Sequence, residues 1–194
     1  MSKFNNIASY IVFPLLLTTA CVPRTADRVK AFHEAANSGD VEKLLSFYAD
    51  DVKFEIVGTP MVIEGKEKLR KPIEEQFMLN CHLTFTDIKV DGNTVTYKAK
   101  EQNDMLKAAG IDALNYEYDK ITFENGLIKK EIAKPTQQSA KAMAEFRMSF
   151  EKWASEKRGQ EWAKLKSEGV TKENVNDWLA ITRDWHKEVK QKKK

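Results

Sequence analysis

The first part of the chain carries two successive helical patterns of apolar residues. Val29, Phe32 and Ala36 are spaced as one face of a helix, because residues three and four apart lie on the same side of an α-helix. The segment 37–39 (Asn-Ser-Gly) ends this pattern, and Asp40 can cap a second short helix. Two helices are therefore predicted before the first strand.

A period of two, which is typical of β-strands, follows these helices. The hexapeptide VKFEIV (52–57) alternates apolar and charged residues, and a helical pattern over 65–77 separates it from four longer strand patterns. Those four patterns form two pairs, interrupted by Asp-Gly-Asn at 91–93 and Asn-Gly at 125–126. Asp-Gly and Asn-Gly pairs readily adopt the positive φ angles that tight hairpins need. The pattern predicts an α+β domain over residues 25–135.

The last quarter of the chain returns to a helical pattern and contains all four tryptophans. Segment 136–190 places large apolar side chains, Trp153 and Trp178 among them, on one face of each predicted helix. A stripe of this kind is typical of helices packed against their own domain, and a groove for a partner is the alternative. Because these rings are too large to leave in water, we expect 136–190 to pack on the domain. A basic tail, 191–194, follows.

The N-terminal segment, residues 1–21, has the pattern of an export signal. An apolar run from Ile7 to Leu17 follows a lysine and ends at Ala20-Cys21. The run is too short to span a bilayer comfortably, and its spacing resembles the signal of bacterial lipoproteins, which are cleaved before a cysteine that receives a lipid. The resemblance implies that Cys21 is the lipidated N-terminus. It also implies that a membrane of the cell envelope carries the protein by this lipid, on its periplasmic or extracellular face.

Two other interpretations of this segment stay open. It could be a plain secretory signal with an incidental cysteine, or the start of a core helix. Pro14 argues against a core helix, because proline removes a backbone donor and clashes with the preceding turn. If Cys21 is lipidated, Cys81 has no partner for a disulfide. We therefore expect Cys81 to be a buried thiol in a strand.

Charge and motif content exclude several classes of function. The formal net charge is +3, and segment 187–194, with five lysines and one glutamate, contributes +4, so the rest of the chain is near −1. No arginine-rich stripe with interleaved aromatic residues occurs, which argues against nucleic-acid binding. The three histidines lack the spacing of metal ligands. No phosphate-binding glycine loop, nucleophile elbow or CxxC pair is present, so we predict neither a metal nor a cofactor.

The order of elements and three local motifs resemble the nuclear transport factor 2 superfamily, which includes the SnoaL-like proteins. The motifs are RVKAFHEAANSGDVEKLLSFYADDVKFEI (28–56), EGKEKL (64–69) and FENGLIKKE (123–131). The resemblance implies an α+β fold in which a curved antiparallel sheet wraps over N-terminal helices and leaves a cone-shaped cavity. The C-terminal helical segment would be an addition to this fold. A concave, largely preformed pocket suits a small hydrophobic ligand, and a homodimer through the sheet is a further expectation.

The best understood enzymes of this superfamily, the ketosteroid isomerases, use a carboxylate base with a tyrosine and a protonated aspartic acid as donors. Carried over on the matching motifs, the tyrosine falls on Phe32, the base on Ile56 and the aspartic acid on Asp119. Two of the three positions are apolar in this chain. Because no base remains to abstract a proton, we assign no catalytic residue.

Strand alternation adds neighbours to Asp119 in the predicted cavity. Ile121 and Phe123 share its face of the strand, and Glu101 alternates in phase with Tyr97 on the preceding strand. The complete candidate set for ligand binding is Phe32, Ile56, Tyr97, Glu101, Asp119, Ile121 and Phe123.

Two functions from different classes are consistent with these residues. The first is a non-catalytic lipoprotein that binds a small hydrophobic ligand or a protein partner. The second is a SnoaL-like lyase or isomerase with a rearranged acid–base pair around Asp119 and Glu101. The loss of two polar positions favours the first. A strongly raised carboxyl pKa inside a closed cavity would favour the second.

Overall fold

The computed structural model describes residues 25–190, and within them it contains seven α-helices, six strands and a terminal π-helix. The helices are α1 Thr25–Ala36, α2 Val41–Leu45, α3 Lys66–Met78, α4 Asp104–Ala108, α5 Gln137–Lys157, α6 Gly159–Glu168, α7 Val175–Trp185 and the π-helix His186–Lys190. The strands are β1 Tyr48–Ile56, β2 Val62–Glu64, β3 His82–Asp91, β4 Thr94–Gln102, β5 Leu114–Glu124 and β6 Leu127–Pro135. The segment 1–21 with Cys21, and the tail 191–194, lie outside the described residues, so export and lipidation stay predictions.

Two local signals in the sequence are confirmed. Asp40 caps α2, because its carboxylate accepts a hydrogen bond of 2.9 Å from the backbone N–H of Lys43. Asn125 and Gly126 have φ angles of 50° and 77°, and together they join β5 to β6. Both residues adopt the left-handed conformation that a two-residue hairpin turn requires.

The six strands form one curved sheet in the order β2-β1-β6-β5-β4-β3. The four strands β3 to β6 pair antiparallel, as predicted, whereas β1 pairs parallel to β6. The sheet is thus antiparallel except at this one pair. A parallel pair needs a long crossover connection, and all the elements between β1 and β6 supply it. The α+β architecture itself is confirmed.

Helices α1 and α3 cover the concave face of the sheet and form the first core with it. Val29 and Phe32 of α1, and Leu69 and Ile73 of α3, are buried against the strands. On the sheet, the buried members of this core are Tyr48, Val52, Val95, Tyr97, Ala99, Ile121, Phe123 and Ile128. The helical face predicted from the spacing of Val29 and Phe32 is therefore the face that packs.

The helices α5 to α7 enclose a second core that is rich in aromatic rings. Its largest members are Phe146, Phe150, Trp153, Trp162 and Trp185. Ala109, next to α4, belongs to the same core, and α4 packs against α7. A hydrogen bond of 2.8 Å from the backbone N–H of Asn115 on β5 to Ser139 Oγ ties the start of α5 to the sheet. The C-terminal helices thus share contacts with both α4 and β5.

Cys81 differs from the prediction in its position. It is half-buried and directly precedes β3, so it is not a strand residue. Asn80, with a φ angle of 51°, turns the chain after α3, and the strand begins only at His82. Burial raises the pKa of the Cys81 thiol to about 12, which keeps it protonated and a poor nucleophile at neutral pH.

Candidate functional site

Two buried carboxyl groups, Asp119 on β5 and Glu131 on β6, lie side by side on the concave face of the sheet. The register pairs Asp119 with Ala133 and Ile121 with Glu131, so the two acids are diagonal neighbours across the strands. Their exposed fractions are 8% and 6%. Buried acids without a cation beside them are rare in folded proteins, which makes this pair the most unusual chemical feature of the interior.

Two tyrosines contact this carboxyl pair. The Tyr48 hydroxyl donates a hydrogen bond of 2.8 Å to Glu131 Oε2. Tyr97 lies directly opposite Asp119 in the pairing of β4 with β5, close enough for its hydroxyl to affect the pKa of Asp119. Asp119 Oδ1 is nevertheless buried with no hydrogen-bond partner of good geometry among the described residues. Asp119 Oδ1 can therefore still accept a hydrogen bond.

The surroundings favour the neutral form of both acids. Burial raises the pKa of Glu131 to about 7, and the hydrogen bonds from Tyr48 and from Asp119 partly oppose this rise. Burial also raises the pKa of Asp119 well above its ordinary value, and the negative charge of Glu131 raises it further. Because two adjacent carboxylates cannot both ionise at low cost, the pair keeps at least one proton at neutral pH.

Aromatic rings fill the space beside the pair. The Phe85 and Tyr97 rings stack with their centroids 4.1 Å apart, and Phe32 lies 6.1 Å from Phe85 and 5.9 Å from Tyr48. Phe85 belongs to the edge strand β3 and is only half-buried, so it is the most exposed ring of this group. The pair therefore lies in an apolar, aromatic environment.

A second polar group occupies the concave face nearer to α4. Glu101 Oε2 accepts a hydrogen bond of 2.8 Å from the Tyr116 hydroxyl, and its Oε1 accepts one of 2.9 Å from Asn103 Nδ2. Burial raises the pKa of Glu101. Burial also raises the pKa of Tyr116, and the carboxyls of Glu101 and then Asp119 raise it further. Tyr116 thus bonds to Glu101 and lies near enough to Asp119 to be affected by its charge.

The structure brings most of the candidate set together. Phe32, Tyr97, Ile121 and Phe123 belong to the first core, and Asp119 is buried on the same face. Ile56 is half-buried at the end of β1, and Glu101 is half-buried at the end of β4. Whether these residues contact a ligand stays a prediction.

The acid–base pair suggested by the sequence has a different composition in the structure. Glu101 shares its hydrogen bonds with Tyr116 and Asn103, whereas the immediate partner of Asp119 is Glu131. Alternation counted from Ile128 would turn Glu131 outward, but the register between β5 and β6 shifts and leaves Lys129 without a partner. This bulge brings Glu131 to the inside. The only sequence signal for this inward position was that Glu131 is the single glutamate in a strand rich in lysine.

The three described grooves lie outside the concave face, and none is lined by a residue of the candidate set. The largest, of about 610 Å³, lies between α5 and the loop 109–113 and is bordered by Trp185 and His186. Because both members of the carboxyl pair are buried, a ligand that binds them has to displace a neighbouring side chain. Within residues 25–190, no group of three or more His, Cys, Asp or Glu is arranged to hold a metal ion. The same part of the chain has no helix with the length and apolarity needed to cross a membrane.

Comparison with known proteins identifies the fold. Residues 29–155 match the family model described as SnoaL-like domain. The structure resembles that of the epoxide hydrolase/cyclase-like enzyme SalBIII, which acts in pyran ring formation in the polyether salinomycin, with a TM-score of 0.52 and 16% identity over 59% of this chain and 92% of that one. A candidate ketosteroid isomerase from Kribbella flavida has a TM-score of 0.50 and 17% identity over 58% of this chain and 78% of its own. No curated protein sequence matches. At these identities the solved structures support the fold alone.

Proposed function

This chain belongs to the SnoaL-like domain family, and we propose that it is a non-catalytic binding protein of the cell envelope, carried on a lipid at Cys21. Its ligand is a small, largely apolar molecule with one hydroxyl or carbonyl group. The ligand binds on the concave face of the sheet, where the candidate set lies. The observation that carries the proposal is the buried Asp119 Oδ1 without a hydrogen-bond partner in an aromatic environment.

An unsatisfied polar atom of this kind favours a ligand that completes its hydrogen bonds. Leaving a buried polar atom unpaired costs about 1–3 kcal/mol, and a ligand hydroxyl that donates to Asp119 Oδ1 would recover part of this free energy. A protonated Asp119–Glu131 pair can also donate to a carbonyl oxygen. Phe32 and Ile56 stand where the ketosteroid isomerases have a tyrosine and a base, which supports binding without proton abstraction.

Access to this site requires the movement of one aromatic ring. Phe85 is half-buried and belongs to an edge strand that pairs on one side only. Its displacement disturbs fewer contacts than the movement of Phe32 or Tyr97, which are buried on all sides. We therefore assign Phe85 as the ring that opens the site.

We expect the wild-type protein to bind 2-naphthol at least tenfold more tightly than 2-methylnaphthalene. The two probes have the same rings and nearly the same size, and only the naphthol hydroxyl can pair with Asp119. A tenfold preference corresponds to about 1.4 kcal/mol, within the range of one hydrogen bond to a buried group. Equilibrium dialysis of both probes against the same protein measures this preference.

Two variants complete the experiment. Asp119→Leu should abolish the preference while both probes still bind, and Phe85→Ala should tighten the binding of both. Ile88→Ala, an exposed substitution on the same strand, serves as the matched control and should change neither affinity. Equal affinities for the two probes in the wild type, or no binding even with Phe85→Ala, would contradict the proposal.

The membrane attachment is tested separately. Metabolic labelling with a fatty-acid probe should label the wild-type protein, and Cys21→Ala should lose the label and move the protein to the soluble fraction. The reason is that lipid attachment needs the thiol of the cysteine at the end of the apolar run. A wild-type protein that stays unlabelled would exclude the lipid anchor and leave the binding proposal intact.

One observation supports an enzyme as the second candidate. A carboxyl group with a pKa near 7, as for Glu131, is suited to general acid–base catalysis at neutral pH. The alternative is a lyase or isomerase in which Asp119 and Glu131 exchange a proton with the ligand. Turnover of a steroid enone or an epoxide by the wild type, lost with Glu131→Gln, would favour this candidate over binding.

A further inference from the structure

A groove of about 360 Å³ lies between α4 and the end of α7, away from the concave face. Its lining consists of Asp104, Lys107 and Ala108 of α4, Leu179 and Arg183 of α7, and His186 and Lys187 of the π-helix. Ala108 and Leu179 are buried and form the apolar part of its lining. The rest of the lining is charged or polar.

The groove is net positive. Lys107, Arg183 and Lys187 are exposed, and their side chains form no hydrogen bond or ion pair among the described residues. Asp104 is the one acid in the lining, and its Oδ2 already accepts a hydrogen bond of 2.6 Å from Asn80 Nδ2. Other acids near the end of α7 are also engaged: Asp184 binds Arg158, and Glu188 accepts a hydrogen bond from the Trp153 indole.

This concentration of cations is unusual for the chain as a whole. Residues 1–186 together are close to neutral, at about −1 by the count of charged residues. Like charges placed around one depression repel each other, and Asp104 is the single carboxylate in the lining against these three cations. A bound anion would relieve this repulsion.

His186 adds a fixed polar group at the edge of the groove. Its ring lies against Gly110, where a Cβ would come within 2.1 Å of His186 Cε1. Gly110 has a φ angle of 70°, so both the backbone and the close approach require glycine there. His186 Nδ1 is buried without a hydrogen-bond partner among the described residues. The imidazole is thus held in place at the junction of this groove with the 610 Å³ groove.

We propose that this groove binds a phosphate group, as a monoester or a diester of a small organic molecule. The planar guanidinium of Arg183 can bind two phosphate oxygens at once, and the two lysines supply point charges for the others. A phosphate monoester offers three terminal oxygens and a charge of about −2 to these three cations. A carboxylate, like a phosphate diester, offers two oxygens and one charge, so the monoester is the better match. Leu179 and Ala108 can contact the organic part of the ligand.

The position of the groove in the fold favours a ligand that does not come from the anchoring membrane. Thr25, at the start of α1, donates a hydrogen bond of 3.3 Å to the carbonyl of Gly92 in the β3–β4 turn. The groove lies at the other end of β4, whose nine residues span about 30 Å. This step rests on the proposed lipid at Cys21, because only residues 22–24 then separate Thr25 from the membrane. The groove would face away from that membrane.

Calorimetric titration of the full-length protein in detergent, at low salt, tests the phosphate site with three probes. These are inorganic phosphate, glycerol 3-phosphate as a monoester, and glycerophosphoglycerol as a diester with the chemistry of a lipid headgroup. We expect the double variant Lys107→Gln/Arg183→Gln to bind the preferred probe at least tenfold more weakly than the wild type. Preference for the monoester would indicate a soluble phosphorylated ligand, and preference for the diester a headgroup on a facing surface.

A matched control distinguishes binding in the groove from nonspecific attraction of anions to a positively charged protein. Arg147→Gln/Lys172→Gln removes one arginine and one lysine at exposed positions outside the groove, and should change the affinity less than twofold. Lys187→Gln should weaken binding by an intermediate factor. No binding of any probe to the wild type, or an equal loss in both double variants, would overturn the proposal. Neither outcome bears on the 2-naphthol experiment, which concerns the concave face of the sheet.

Discussion

Replacing Trp185 by alanine is expected to lower the free energy of unfolding by about 3–5 kcal/mol, the usual cost of removing a large buried aromatic side chain. Trp185 is fully buried, with its ring 5.1 Å from that of Phe146 and 6.0 Å from that of Phe150. Its indole N–H donates a hydrogen bond of 3.2 Å to Ser149 Oγ, which would lose its partner. Urea unfolding followed by far-UV circular dichroism measures the change without relying on the deleted fluorophore.

Met148 provides the control for this experiment. It lies on α5 within the same group of helices but is 75% exposed, so Met148→Ala should change the stability by less than about 0.5 kcal/mol. Because the second core includes Ala109 beside α4, we expect one cooperative transition for sheet and helices. Two separate transitions, with only the helical one shifted by Trp185→Ala, would show that the C-terminal helices fold as an independent unit.

The stability of the protein is expected to fall as the pH rises from about 4.5 to about 7. In this range the unfolded chain has already released the proton of Glu131, whose ordinary pKa is 4.5, whereas the folded state keeps it because its pKa is about 7. The folded state therefore binds more protons, and its advantage is complete below pH 4.5 and lost as the pH passes 7. At 1.36 kcal/mol for each pKa unit, the change amounts to about 3 kcal/mol. The raised pKa of Asp119 extends the fall to higher pH.

Urea unfolding at a series of pH values tests this dependence. The double variant Asp119→Asn/Glu131→Gln keeps amide groups in place of the acids but cannot titrate there, so its stability should be nearly constant over the same range. Glu173→Gln/Asp177→Asn removes two exposed carboxyls and should leave the slope of the wild type unchanged. A wild type whose stability rises between pH 5 and 7 would show that the buried pair is ionised.

Local signals and periodicity predicted the elements of this fold well. The helical spacing of Val29 and Phe32 identified the packed face of α1, and the turn residues Asn125 and Gly126 located the β5–β6 hairpin. These features depend on residues close in sequence, where propensity and side-chain spacing act directly. The family fold followed from the order of the elements.

Features that depend on strand register were beyond the reach of the sequence. The bulge at Lys129 reverses the direction of Glu131, and another register shift, between Tyr116 and Tyr118, separates Tyr116 from the alternation that Asp119 follows. A single extra residue exchanges the two faces of a strand from that point on. Asp119 was therefore found from its alternation with Ile121, whereas its acidic partner was not.

A turn at the start of the strand pattern explains why Cys81 was predicted to lie in a strand. The strand pattern begins at Cys81 in the sequence, but the turn at Asn80 delays the first paired residue to His82. The pattern of apolar residues does not distinguish the last residue of a turn from the first of a strand, because both can point inward. Boundaries of this kind depend on hydrogen bonds between distant segments.

The separation of the two cores gives each its own optical reporter. All four tryptophans belong to the C-terminal helices, whereas Tyr48, Tyr97 and Tyr116 lie on the concave face of the sheet. Selective excitation of tryptophan therefore observes the helices, and the three tyrosines of the concave face contribute to ultraviolet difference spectra that respond to the environment of the carboxyl pair. Trp185 precedes His186 directly, with 6.3 Å between the ring centroids. The emission of this indole can therefore report on the 360 Å³ groove between α4 and the end of α7. Two ligands bound to one molecule could thus be followed independently, at different wavelengths, without any added label.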